Sequence, residues 1–411
     1  MSNTVPSGWG VHELGDLALK IEGGGTPPRN EPRYWGGDIP WASVKDLRGV
    51  ELNSTKESIS EMGLENSSSK LIPANTLIIA CRMAVGKAVF FNRDVAINQD
   101  LKAFFTRDNV NWRFLLHWYL AKSEQINDLA TGSTVKGIRL DDLNLLPIDL
   151  PPLPEQQKIA AILSTVDDVI EKTRAQIAKL KDLKIGMMQE LLTKGIGHTE
   201  FKDSPVGRIP VGWDVRNLEK ITVRIIDCEH KTAPYVDKSE YLVVRTSNVR
   251  HGELIHDGMK FTTEGGYAEW TKRAVPSVGD VLFSREAPAG ESCMVPSGIK
   301  VCMGQRMVLL SPNAGVVFPD YFSLFLSSEI ARLAIYGLSI GTTVTRINIE
   351  DIKRIPCVIP PVVEQKEIFT AVQSVQTSIL SKKSRLNSLK SVKKALMQEL
   401  LTGNVRVKVD H

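Results

Sequence analysis

Two short loops carry the most suggestive chemistry in this chain. Gly132-Ser133-Thr134-Val135-Lys136 and Gly341-Thr342-Thr343-Val344-Thr345-Arg346 each combine a glycine, small hydroxyl side chains and a cation. Such a loop can approach a phosphate backbone closely and offer it N–H, O–H and positive charge. One loop of this kind could be an ordinary surface turn. Here it recurs, each time a few residues before a matching aspartate, Asp142 or Asp351.

Other segments put amides and cations side by side. In the first half these are Lys45 with Arg48, Arg82 with Lys87, and Asn98-Gln99. In the second half they are His230-Lys231, then Arg245, Ser247, Asn248 and Arg250, then Arg285, and Gln305-Arg306. Arg, Lys, Asn and Gln are the side chains that bond guanine or adenine edges in the major groove. Together with Ser133, Thr134, Lys136, Thr342, Thr343 and Arg346 they form a candidate DNA-contacting set. For any single member a solvated charge is the simpler reading.

Enzyme chemistry is hard to find. Gly86-Lys87 is followed by Ala88 and lacks the first glycine of a phosphate loop, and Gly23-Gly24-Gly25 does not fit GxGxxG. No HExxH, GxSxG or zinc-deaminase cluster is present. The Pro-Pro pairs are followed by Leu153 and Val362, which does not fit an adenine-methyltransferase motif of the (Asn/Asp)-Pro-Pro-(Tyr/Phe) kind. The seven histidines are scattered, and the five cysteines (Cys81, Cys228, Cys293, Cys302, Cys357) have no C-x-x-C spacing. Isolated thiols are expected, with neither a zinc site nor a disulfide framework. No metal, cofactor or catalytic residue is expected in this chain.

The elements that must hold the loops are read from an internal repeat. At an offset of 209, Gly132 aligns with Gly341, Pro147 with Pro356, Pro151-Pro152 with Pro360-Pro361, and Glu155-Gln156 with Glu364-Gln365. Met188-Gln189-Glu190-Leu191-Leu192-Thr193 matches Met397-Gln398-Glu399-Leu400-Leu401-Thr402 in the same register. The front ends match at an offset of 204, Gly8-Trp9 with Gly212-Trp213. Between these anchors the halves diverge, with weak echoes such as Arg82 near Arg285 and Gln99 near Gln305.

Each half ends in a long amphipathic stretch. Leu163, Val166, Ile170, Thr173, Ile177, Leu180, Leu183 and Met187 recur at steps of three and four, as do Val372, Val375, Ile379, Lys382, Leu386, Leu389, Val392 and Leu396. That period marks a coiled-coil seam. Each stretch of about 38 residues would span roughly 55–60 Å as a helix. The proline pairs mark the starts, and Gly195, Gly197 and Gly403 the ends. The two stripes are expected to bury each other as an antiparallel pair, or else to pack on partners or on their own domains. Buried strands are expected at Thr76–Ala80, Val281–Phe283 and Met307–Leu310, and short helices at Trp112–Lys122 and Tyr321–Leu333.

The expected fold class is therefore α+β: two globular domains joined by two long antiparallel coiled-coil helices, with internal pseudo-two-fold symmetry. The divisions fall at 1–153, 154–197, 198–362 and 363–411. At 411 residues the chain is too long for one ordinary core. A charged fraction of 24% and a hydrophobic fraction of 42% suit a soluble protein, and no apolar run reaches membrane-span length. The first residues lack the pattern of a signal peptide, so a cytoplasmic location is expected. A net charge of +4 permits nucleic-acid binding without requiring it.

The layout resembles the specificity subunit of type I restriction-modification enzymes. The resemblance is carried by the Gly-Trp openings, the two glycine loops, the repeated Pro-Pro-x-x-Glu-Gln and the repeated Met-Gln-Glu-Leu-Leu-Thr, and it covers essentially the whole chain. Val362-Val363 departs from it, where the first copy has Leu153-Pro154. The resemblance implies two target-recognition domains, each reading half of a bipartite, asymmetric double-stranded DNA sequence, with the helices setting the spacer. It implies that two modification subunits dock on the helices and that restriction subunits join them. S-adenosylmethionine, ATP and Mg²⁺ would then sit on those partners. The alternative is a coiled-coil scaffold whose end domains bind proteins.

Overall fold

The computed structural model describes residues 5–132, 135–250, 252–341 and 345–409. It divides into two compact units, Met1–Ala175 with Ser384–His411, and Gln176–Lys383. The division falls inside both long helices, the central helix Leu153–Thr193 and the C-terminal helix Val362–Leu400. Each unit thus holds one globular domain and half of each helix.

In the first unit, the strand Leu77–Ala80 is buried along its whole length. It has no alternating pattern because it is covered on both faces. It lies between Leu101–Thr106 and Ala88–Phe91 in a five-stranded sheet that also holds Ala18–Gly23 and Glu51–Leu52. A four-stranded sheet is built on Trp35–Ala42 and Val95–Ile97, paired in parallel. The strand Gly10–Glu13 pairs antiparallel with Pro147–Leu150, which leads into the central helix.

The second unit repeats the scheme. Val281–Ser284 lies between Met307–Pro312 and Ser292–Met294, with Thr222–Asp227 at the edge. Tyr241–Val244 and Lys300–Met303 form the parallel pair, and Asp214–Asn217 pairs with Pro356–Ile359. The helix expected over Tyr321–Leu333 is two helices, Pro319–Leu326 and Glu329–Leu338. The Ser328 side chain accepts from the Ala331 amide, so a new helix is capped there and the first one stops.

Within each unit the helix halves run antiparallel. In the first, Arg406 meets Glu155 at 2.7 Å and Lys393 meets Asp167 at 2.6 Å, so one helix climbs as the other descends. In the second, Lys184 donates to Gln376 at 3.0 Å, and His198 meets Glu364 at 2.8 Å. Leu163, Ile170, Ile177, Val372, Val375 and Ile379 are buried; Val166, Leu180, Met187, Leu386, Leu389 and Leu396 are half-buried. Leu183 and Val392, read as part of the same stripes, are exposed. A straight helix drifts about 20° per heptad from a 3.5-residue repeat, so a run read at that period walks off the contact line.

The repeated Glu-Gln pair explains how each domain grips its helix. Buried Glu155 accepts the Trp9 indole N–H at 3.1 Å and a two-pronged contact from Arg406. Buried Glu364 accepts from Trp213 at 2.8 Å, the Ile196 amide and His198. Gln156 accepts from the Asn111 amide and donates to the Asn109 and Pro151 carbonyls. Gln365 does the same with Phe318, Val316 and Pro360. Gly195, at φ +67°, must be a glycine: a Cβ there would lie 2.5 Å from both Glu364 and Trp213.

Candidate nucleic-acid interface

In each unit three segments meet where the two central strands end. In the first unit they are the residues after Leu77–Ala80, those before Leu101–Thr106, and the stem of the glycine loop. The Cys81 amide donates to the Asp100 carbonyl, Ile138 to Cys81, and Met83 to Lys136, each at 2.9 Å. Thr131 and Gly137 exchange both backbone bonds and close the stem. In the second unit the Arg285 amide donates to the Arg306 carbonyl and Ile347 to Arg285, both at 2.9 Å, and Ile340 and Arg346 close the stem.

Side chains expected at DNA are thereby gathered. In the first unit these are Arg82, Gln99 and Lys136, all exposed. In the second they are Gln305, Arg306 and Arg346, also exposed. Each glutamine is tied to the loop after the sheet's edge strand: Thr26 donates to Gln99 at 2.6 Å, and Gln305 donates to the His230 carbonyl at 3.2 Å. Exposed His230 and Lys231 lie on that second loop. Ser133, Thr134, Thr342 and Thr343 lie outside the described residues.

A second pair of turns carries the remaining candidates. Lys45 and Arg48 are exposed around Val44–Asp46, and Lys87 donates to the Leu47 carbonyl at 3.2 Å. The equivalent turn, Thr246–Asn248, presents Ser247 to solvent. Several expectations fail here. Asn248 is fully buried, donates to the Ile255 and Asp257 carbonyls and accepts from the Arg245 amide. Asn98 is buried and hydrogen-bonded to Asp100 in both directions. Arg245 donates to the Gly258 carbonyl, and Arg250 to those of Thr246 and Val249. These four side chains bond back to their own loops, the two asparagines from buried positions and each arginine through one nitrogen of its guanidinium.

Arg285 is also corrected. Its side chain is only 14% exposed and donates to Asp227 at 2.6 Å. Asp227 also meets His230 at 2.9 Å, and the buried Cys228 sulfur lies 3.9 Å from the same imidazole. Asp227, Cys228 and His230 are close enough to hold a metal ion. The Arg285 guanidinium, however, already neutralises the carboxylate, so the donor set suits an ion pair better than a cation. All five cysteines are free and buried. Burial pushes the Cys81 thiol up to about 11 and those of Cys293 and Cys302 to about 12, so none of these three is a ready nucleophile.

The family described as type I restriction modification DNA specificity domain matches twice, over residues 6–182 and 210–391. The chain belongs to this family. Its two matches coincide with the two copies of the repeat. The type I restriction enzyme MjaIX specificity subunit of Methanocaldococcus jannaschii is 24% identical over 413 aligned residues, which cover 98% of this chain and 95% of that one. The fold is similar to a chain from a structural study of type I R-M complex assembly, with a TM-score of 0.59 at 18% identity, covering 98% of this chain and 100% of the other. It is also similar to the S subunit of M. genitalium, with a TM-score of 0.57 at 14% identity over 97% and 98% of the two chains.

For a DNA-specificity chain, the residues missed in the sequence matter most at the strand ends. Strand register pairs Ala80 with Leu101 and Ser284 with Met307, so Arg82 corresponds to Glu286, not to Arg285. The front-end offset of 204 carried that signal. Among the described residues, no helix is long and apolar enough to cross a membrane. Buried His117 was also missed. It lines a cavity of about 50 Å³ with Ser164, Asp167 and Asp168; its Nδ1 lies 3.8 Å from Asp167 and has no hydrogen-bond partner among the described residues. Desolvation, helped by Lys393 and Arg113, lowers its pKa to about 3.

Proposed function

We propose that each globular domain reads one half of a bipartite, asymmetric DNA sequence, and that the antiparallel helices set the spacer between the halves. The observation that carries this reading is the three-segment constellation at the strand ends. It is built twice on the same backbone bonds and furnished with different side chains. Lys136, Gln99 and Arg82 would contact one half-site, and Arg346, Gln305 and Arg306 the other. Lys45, Arg48, His230, Lys231 and Ser247 would flank them.

The chain itself would be non-catalytic and cytoplasmic. Two modification subunits would dock on the repeated helical parts, with restriction subunits joining them. S-adenosylmethionine, ATP and Mg²⁺ would be bound by those partners. The test is co-expression with the cognate modification subunit in a methylation-free host, followed by methylome sequencing. A two-part motif with a fixed gap is expected, and DNA binding should weaken steeply with salt as counterions are released. A motif without a gap would overturn the reading.

A further inference from the structure

The ion pair at the end of the two central strands is the same in both units with its charges exchanged. In the first unit Arg82, two residues past Ala80, meets Asp100, the residue before Leu101, at 3.6 Å. In the second unit Glu286, two past Ser284, meets Arg306, the residue before Met307, at 3.5 Å. The backbone around the two pairs is equivalent. Arg82 bridges to Gly137 and Glu286 to Arg346, both on the stem of the glycine loop. The strand pairs are in the same register.

The burial follows the charge, not the position. The arginine is half-open in both units, 54% exposed for Arg82 and 52% for Arg306. The carboxylate is the more covered partner, 11% for Asp100 and 26% for Glu286. Asp100 is further fixed by Asn98. Each contact is long for a charge-assisted bond, which leaves most of the guanidinium's five donors free. Arg306 also holds φ +68°, an uncommon conformation for a non-glycine residue.

We infer that these two pairs determine specificity: in each unit the carboxylate orients an arginine that reads a base, and the exchange of ends makes the two units read at different positions. Neighbouring strands are about 4.8 Å apart. Successive bases on one DNA strand are about 3.4 Å apart. Moving the guanidinium from the exit of one strand to the entrance of its neighbour therefore shifts its reach by more than one base step. The inference rests on the DNA-reading function proposed above and adds which residues set the difference between the half-sites.

The test uses the full chain co-expressed with its modification subunit, and the methylated motif is read by sequencing. Wild type must first yield a gapped two-part motif; its absence overturns the broader reading and this inference with it, whereas a gapped motif that the variants leave unchanged overturns this inference alone. Arg82→Glu combined with Asp100→Arg gives the first unit the polarity of the second. The expected outcome is a motif changed at one or two positions in one half, with the other half and the gap retained. Arg82→Gln and Arg306→Gln, both at exposed positions, cover the case in which the double exchange fails to assemble. Each is expected to relax one position, in opposite halves, and to weaken binding of the cognate duplex roughly 5- to 150-fold, the range of one bidentate base contact. An unchanged motif with these single variants would overturn the inference. So would a loss of affinity equal for all sequences, which marks a phosphate contact.

Discussion

The grips on the helices and the faces at the strand ends are both built twice, yet they have aged differently. At the grips, Glu155 and Glu364 keep the same indole donor, and Gln156 and Gln365 keep the same three backbone partners. At the strand ends even the sign of an ion pair is reversed. A buried carboxylate tolerates little change, because losing a donor leaves an uncompensated charge inside. A pair whose arginine is half-exposed tolerates exchange, because water covers the guanidinium that its partner releases. Divergence has run where the physics permits it.

The largest way to break this comparison is at the grips. Trp9→Ala and Trp213→Ala each empty a buried indole site and strip a donor from a buried glutamate. Each should cost about 3–5 kcal/mol in denaturant unfolding. If the two grips are one part made twice, the losses should agree within about 1 kcal/mol. A loss confined to one of them would show that the grips differ in energetics as well as in partners, Arg406 on one side and His198 on the other.

A smaller effect separates the units through His117, whose place in the second unit is taken by Leu324. The matching amides of Asn111 and Phe318, both held by the repeated glutamine, fix that equivalence. The unfolded chain binds a proton on this imidazole below pH 6.5, and the buried one does not until about 3. Its stability contribution is thus complete above 6.5 and is lost as pH falls through that window, by at most about 1.4 kcal/mol per pH unit. His117→Leu should flatten the acid limb of a stability profile between pH 6.5 and 4. An unchanged slope would assign the acid sensitivity to other groups.

The smallest predicted effect probes the reading face alone. Lys136 is exposed on the stem of its loop and donates no hydrogen bond from its side chain among those resolved. Lys136→Ala should lower the slope of log binding against log salt by about 1 and leave the motif intact. A changed motif would move Lys136 from phosphate contact to base contact.

Much of the frame was legible in the residues. Proline pairs cannot continue a helix, so both helix starts were plain, and an ungapped repeat exposed the Glu-Gln signature. Its mechanical meaning was not legible, because Trp9 and Arg406 lie far from Glu155 along the chain. The reading face was harder. Asn98, Asn248, Arg245 and Arg250 have the right chemistry for bases, but sequence does not say whether a polar side chain turns out to solvent or back to a carbonyl. Arg285 failed by one residue. In a strand environment one step reverses the direction of a side chain, so a one-residue slip in the repeat put a structural arginine where a carboxylate stands.

The division inside both helices has a consequence for how the molecule is made. The second unit is one continuous stretch, Gln176–Lys383, whereas the first needs Ser384–His411 from the far end of the chain. Synthesis proceeds from the N-terminus, and domains fold as their residues emerge. The first domain to be translated is therefore the last to be completed. Glu155 must wait some 250 residues for Arg406, and until then it is a buried carboxylate that keeps only the indole of its three hydrogen bonds. Released chains ending at Lys383 should carry a finished second unit and an unfinished first one.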